Sequence, residues 1–211
     1  MKSCAAAGVV VAESLEDFED LVVLFSALGR RAVQGWRLAA ASNAGFECVA
    51  IADSLGRFTL PPFGAESARA LEAIFVRSRI DKVVDVHNPI DLTPMTGDEA
   101  YADTVRALLE DDQFDAVVVG IVPLTAALNT LPPAPGHRED VARQDGIVAR
   151  LAALKRDDSK PWVAVVDAGS LYDPMARALE SAGIPTFRTA DRALRLLNVY
   201  CAARQRGAGA S

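Results

Sequence analysis

The run "RLAAASNAGFECVAIADSLGRF", residues 37–58, decides the fold. An apolar segment stops abruptly at Ser42-Asn43-Ala44-Gly45, and apolar positions then resume at helical spacing. This is the pattern of a strand, a tight turn and a helix whose first N–H groups have no partner inside the helix. Such a terminus carries positive potential and is suited to an anion. Phe46 and Glu47 stand where a phosphate loop would be expected to offer glycine. The loop therefore reads either as a phosphate site or as a self-capped turn. Glu47 weighs against phosphate, because a carboxylate in the first turn already satisfies the helix dipole.

On the amino-terminal side, "SLEDFEDLVVLFSAL" opens with an N-cap, Ser14, and Asp17 stands in for the Glu of a capping box. Leu15, Phe18, Leu21, Val22 and Phe25 recur at helical spacing and Gly29 closes the segment, predicting a leading helix over about 13–28. "WRLAAA" is a short strand, and "GFECVAIADSLG" is a helix ended by Gly56. "RFTLPPF" carries a short strand stopped by its Pro pair, and "ESARALEAIFVRS" is a third helix. The long connection "RIDKVVDVHNPIDLTPMTGD" ends where Asp98 caps the helix "EAYADTVRALLED". Alternation is then plain: strand "FDAVVVGIVPL", helix "EDVARQDGIVARLAALKR", strand "PWVAVVDAGS", helix "PMARALESAG", strand "IPTFR" and helix "ADRALRLLNVYCAAR".

Val-rich runs without alternation belong to strands buried on both faces, as in parallel sheets. Five of them separated by helices predict an α/β fold: three layers around a doubly wound five-stranded parallel sheet, flavodoxin-like. One domain covers residues 1–211, with its α/β core over about 36–206 and a frayed tail at 207–211 within "RQRGAGAS". No repeat or linker divides it.

At 211 residues, 51% hydrophobic and 24% charged, the composition is that of a globular chain with a well-buried core. A net charge of −6 without a basic cluster argues against nucleic acid. Cys4, Cys48 and Cys201 are odd in number and widely spaced, which indicates neither a disulfide framework nor a zinc site. The short apolar start runs straight into an acidic helix, with Cys4 too near Met1 for a lipoprotein signal. No apolar span of about 18 residues suits a bilayer. A cytoplasmic protein with no membrane partner is expected.

In an open parallel sheet, ligands bind beyond the carboxyl ends of the strands where strand order reverses, here between the first and third. The loops there are "SNAGF" and "VPLTAALN", and "DAGSLYDP" follows the fourth strand. "PLTAALNTLPPAPGHRED", residues 123–140, is longer than an ordinary connection and contains four Pro. Pro123, Thr125, Gly169 and Ser170 are candidate site-edge residues. A phosphoacceptor receiver needs an acid at the end of the third strand, which instead reads "VVVGIVP". A flavin phosphate loop needs more hydroxyls than "SNAGFE" has, and no G-x-G-x-x-G occurs at any strand-to-helix turn.

Taken together, "GVVVAESLEDFEDL", "SNAGFECVAIAD", "HNPIDLTPMTGDEAYADTVRALLEDDQFDAVVVGIVP", "KPWVAVVDAGS" and "LESAGIPTFRTADRALRLL" resemble, in order, one part of the NDP-forming acyl-CoA synthetases. That superfamily includes the ADP-forming acetyl-CoA synthetases and succinyl-CoA synthetase. The part resembled is the second flavodoxin-like ligase module, with its "TNAGG"-type loop and its Asn-Pro-x-Asp segment. The resemblance implies a ligase interconverting acid, CoA and ATP with acyl-CoA, ADP and phosphate, through an acyl phosphate and a phosphohistidine. It also implies that CoA, ATP or ADP, and Mg sit on CoA-binding and ATP-grasp partner domains or subunits, with none bound tightly here. No catalytic or metal-ligating residue is then expected in this chain, which would be inactive alone, and a homo-oligomer stays open.

Ser42, Asn43, Ala44 and Gly45 carry over onto the family's phosphate-facing loop. Asn88, Pro89 and Asp91 form its structural turn, with Asn and Asp expected to bond locally to main-chain N–H groups. His87 and His137 lack the Gly- and Ser-rich setting of a phosphorylated histidine, so both read as structural or surface residues. Cys48, near a helix start, reads as a reactive thiol or a small core residue. Asp173-Pro174 reads as a cap and first turn. The alternative to the ligase module is a non-catalytic small-molecule-binding or protein-interaction domain of the same fold.

Overall fold

The computed structural model describes residues 9–29, 31–157 and 160–208, so Cys4 and the last three residues lie outside it. Its elements are α1 (Leu15–Leu28), β1 (Leu38–Ser42), α2 (Gly45–Asp53), α3 (Ala65–Ser78), β2 (Ile90–Asp91), α4 (Asp98–Glu110), β3 (Ala116–Ile121), α5 (Ile147–Asp157), β4 (Trp162–Val166), α6 (Asp173–Ser181), β5 (Thr186–Phe187) and α7 (Ala190–Ala208). The sheet is wholly parallel in the order β2-β1-β3-β4-β5, which is the flavodoxin-like order. Every residue of β1, β3 and β4 is buried, as strands covered on both faces require.

Two apolar layers flank the sheet. Leu71, Phe75, Tyr101, Val105, Leu151 and Leu179, from α3 to α6, pack on one face with Val117, Val119 and Trp162. Leu24, Leu28, Ile51, Leu194 and Leu197, from α1, α2 and α7, pack on the other with Leu38, Val118 and Val165. The leading helix thus thickens the layer that already holds α2.

Sequence reading misplaced the second strand. "RFTLPPF" forms a single bridge, Arg37 to Thr59, and no strand, whereas β2 lies inside the long Pro-rich connection. The free edge of β1 explains this, because three different groups complete it. Thr59 accepts from Leu38 N at 2.8 Å before Pro61 and Pro62 end the pairing. Asn88 takes the middle: its Oδ1 accepts from Ala40 N (3.0 Å), and its Nδ2 donates to Leu38 O (2.8 Å) and Pro61 O (3.0 Å). Ile90 and Asp91 then pair with Ala41 and Ser42. Asn88 therefore bonds across to β1 rather than locally, while Asp91 does bond locally, its Oδ1 accepting from Thr93 N (3.0 Å).

Ser14 caps α1 as expected, accepting from Asp17 N at 3.0 Å. The buried stripe of α1, however, is Asp17, Leu21, Leu24 and Leu28, and Leu15, Phe18 and Val22 face solvent. The Asp17 carboxylate does not complete a capping box but binds Arg195 through two bonds of 2.7 and 2.8 Å. Asp98 does not cap its own helix, whose N-cap is Gly97. It caps α5 instead, its Oδ1 accepting from Ile147 N (3.0 Å), which is why that helix begins eight residues later than its charged lead-in suggests. Asp173 is likewise the first residue of α6 rather than its cap, and its carboxylate pairs with Arg188. α7 extends to Ala208 and so takes in the first two residues of the tail expected to fray at 207–211, the other three of which lie outside the described residues.

Candidate site at the carboxyl end of the central strands

The loop Ser42-Asn43-Ala44-Gly45 joins β1 to α2 at the point where strand order reverses, between β1 and β3. Ser42 is paired with Gly120 across the two strands. Ser42 and Asn43 are both buried, Ala44 is half-buried, and Gly45 and Phe46 are exposed at the helix start. Ala44 is the N-cap and offers no side-chain cap; its carbonyl accepts from Glu47 N (3.0 Å) and Cys48 N (3.2 Å). The N–H groups of Gly45 and Phe46 have no partner among the described residues. These two donors and the positive end of α2 are the means of holding an anion here.

The side chains of the loop are turned to other work. Asn43 donates from Nδ2 to Val122 O (2.9 Å) and accepts at Oδ1 from Val122 N (2.8 Å). It thus extends the β1–β3 pairing by one step with a side-chain amide. Ser42 Oγ accepts from Ala44 N (3.2 Å) and donates to Glu47 Oε2 (2.5 Å). Glu47, read from sequence as a first-turn carboxylate, has no exposure to solvent, and its Oε1 has no hydrogen-bond partner. Burial pushes its carboxyl up to about 7; the Ser42 hydroxyl opposes this, and the Asp167 carboxylate adds to it.

Three residues around Glu47 escaped sequence reading. Gly120 is one, because a Cβ there would lie 2.2 Å from Glu47 Oε2 and 3.0 Å from Ser42 Cβ. The signal available was a lone glycine inside "VVVGIVP", which marks close approach of another group. Tyr101 on α4 is fully buried and donates its hydroxyl to Gly120 O. Asp167 follows β4 and bonds through its N–H to Ile121 O (3.1 Å).

Of the site-edge candidates, Pro123 lies one residue beyond the Asn43–Val122 pair, and its carbonyl accepts from Thr130 Oγ1 at 3.3 Å. Thr125 turns away, donating to Pro94 O. Gly169 and Ser170 are exposed at the start of a short 3₁₀ turn after β4. Cys48 is a core thiol: its Sγ sits 3.5 Å from Ile90 O, and burial pushes its pKa up to about 12. His87 is exposed. His137 is half-buried rather than a surface residue, and it lines a cavity of about 420 Å³ with Leu128, Asn129, Arg138, Glu139 and Arg143.

The arrangement is a doubly wound α/β domain with a helix amino terminus at its switch point. Among known proteins, the chain is similar to the ADP-forming acetate–CoA ligases. It is 26% identical over 181 residues to the alpha subunit of acetate–CoA ligase [ADP-forming] II of Pyrococcus furiosus, covering 85% of this chain and 36% of that protein. It is 25% identical over 194 residues to acetate–CoA ligase [ADP-forming] I of Archaeoglobus fulgidus, covering 91% of this chain and 24% of that one. The chain therefore spans about a quarter to a third of the length of these curated relatives. Among solved structures, the acetyl-coenzyme A synthetase 1 of Ca. Korarchaeum cryptofilum in complex with phosphate and ADP superposes with a TM-score of 0.76. That match has 21% identity and covers 99% of this chain and 42% of the other, and it bears on the fold. No family model matches the chain. The sequence similarity agrees with the resemblance to NDP-forming acyl-CoA synthetases read from the motifs.

Proposed function

We propose that this chain is one module of an NDP-forming acyl-CoA synthetase, a class converting acid, CoA and ATP to acyl-CoA, ADP and phosphate. The observation carrying this reading is the match itself: it runs through 85–91% of the chain but only 24–36% of each ligase. In this reading CoA, nucleotide and Mg sit on CoA-binding and ATP-grasp parts, which also supply the phosphohistidine. The contribution of this module is the α2 terminus, where the Gly45 and Phe46 N–H groups hold a phosphoryl oxygen. Reduced buried thiols and ATP-dependent chemistry suit the cytoplasm. Incubated alone with acetate, CoA and ATP, the chain should form no acyl-CoA, as followed by thioester absorbance. Robust turnover would end this reading.

A second reading, a binding module that kept the fold and lost the chemistry, is favoured by one observation. The Ser42 and Asn43 side chains are engaged within the protein, and a buried carboxyl lies beneath the loop. Calorimetry with phosphate, ADP and CoA addresses it, together with Glu47→Gly. Should that substitution bring no gain in phosphate affinity, the loop is structural.

A further inference from the structure

Glu47 is a group that a simple helix-terminus anion site does not need. Its carboxyl is packed between the ends of β1 and β3, with Ser42 on one side and the bare Cα of Gly120 on the other. Gly120 leaves room for it, and among the described residues no Lys or Arg forms an ion pair with it. One oxygen is bonded to Ser42, and the other is buried without a partner on a residue of the first turn of α2. Ser42 links the two features, because the hydroxyl bonded to Glu47 also receives the Ala44 N–H at the mouth of the loop.

The titratable groups facing Glu47 can be taken element by element. Asp167 faces it from the end of β4. Asp91, at the end of β2, lies against Gly45, its Oδ2 2.8 Å from the Cβ position there. Tyr101 on α4 and Cys48 on α2 are pushed upward by burial and stay neutral near pH 7. The charges around the carboxyl are thus of its own sign. Ionising Glu47 adds a negative charge within the first turn of α2, whose dipole end amounts to about half a positive charge.

We propose that Glu47 gates the anion site at the amino terminus of α2 through its protonation state. As the neutral acid it leaves the Gly45 and Phe46 N–H groups and the helix dipole free to hold a phosphoryl-type oxyanion. As the carboxylate it cancels the dipole and repels the anion. Binding above the Glu47 midpoint then takes up one proton, which passes from solvent to the Glu47 carboxyl. The inference rests on the reading of this loop as a phosphoryl site. It adds a control that rests on Glu47, one of the residues by which this loop departs from the resembled one.

Sulfate is the probe, because it remains a dianion across the whole range while phosphate does not. Binding is followed by the amide signals of Gly45 and Phe46 in NMR titrations at about pH 5.5 and about pH 8.5, either side of the Glu47 transition. The wild-type chain should bind sulfate about tenfold more tightly at the lower pH, the effect of one pKa unit of coupling. Glu47→Gln should bind at both pH values as the wild type does at the lower. By reciprocity, sulfate should raise the midpoint of the Glu47 carboxyl signal in the wild type, and Asp167→Asn should lower it. Those two measurements decide the matter if Glu47→Gln does not fold. A pH dependence that survives in Glu47→Gln, or a Glu47 midpoint unmoved by sulfate, overturns the gate. Absence of sulfate binding in every variant at both pH values overturns the underlying site reading instead.

Discussion

Two asparagines on opposite sides of β1 act as pieces of strand. Asn88 supplies a donor pair and an acceptor to β1 and Pro61, and Asn43 exchanges both its amide bonds with Val122. Asn88→Ala should lower stability by about 2–4 kcal/mol and Asn43→Ala by about 1–3 kcal/mol, because each leaves buried main-chain groups unpaired. Urea midpoints at unchanged slope would measure both. Glu47 predicts a pH profile. Its carboxyl titrates near 7 when folded against an ordinary 4.5, so the folded chain holds the extra proton between those values. Stability should fall by about 3 kcal/mol as pH rises through that window and level off above it. The Glu47→Gln chain should lack this component, and denaturation at several pH values shows whether it does. The Asn-Pro-x-Asp segment was legible as a turn. That its Asn reaches across to β1 was not, because the partner is some fifty residues away and no local spacing encodes it.

Among the elements, those with long Val-rich runs or a clear helical period were readable, since burial on both faces or one face dictates their composition. β2 was not, because two residues carry no period. The strand assigned to "RFTLPPF" was the error that followed. The start of α5 was misread because Asp98, 49 residues earlier, supplies its cap. Asp98 also accepts from Asn129 N (3.1 Å) and Asn129 Nδ2 (2.6 Å), so it ties down the long loop after β3. Asp98→Ala should cost about 2–3 kcal/mol and speed amide exchange over residues 129–147 while leaving β3 protected. The buried face of α1 was misassigned for a similar reason: a carboxylate, Asp17, lies on it, matched by Arg195 of α7. Arg195→Met should free α1 for limited proteolysis ahead of the sheet. The Arg195 contact also holds the Asp17 carboxyl below its usual range, so its stabilising effect is present at neutral pH and lost as pH falls through the carboxylate range.

For the molecule as a whole, the fold order and the switch-point loop were visible in the sequence, whereas the buried carboxyl beneath that loop emerged only with the third strand in place. Among the described residues, no helix is long and apolar enough to cross a membrane. Leu15, Phe18, Val22 and Val23 leave an apolar face of α1 in solvent. The two outer strands of the sheet are each two residues long. A polypeptide seeking to add itself to this sheet therefore finds almost no row of free main-chain donors and acceptors to copy. Strand annexation is thereby a poor route for any neighbour to join this domain. Neighbours must recognise it through side chains on its helices and loops, so such contacts can be lost one substitution at a time while the sheet stays intact.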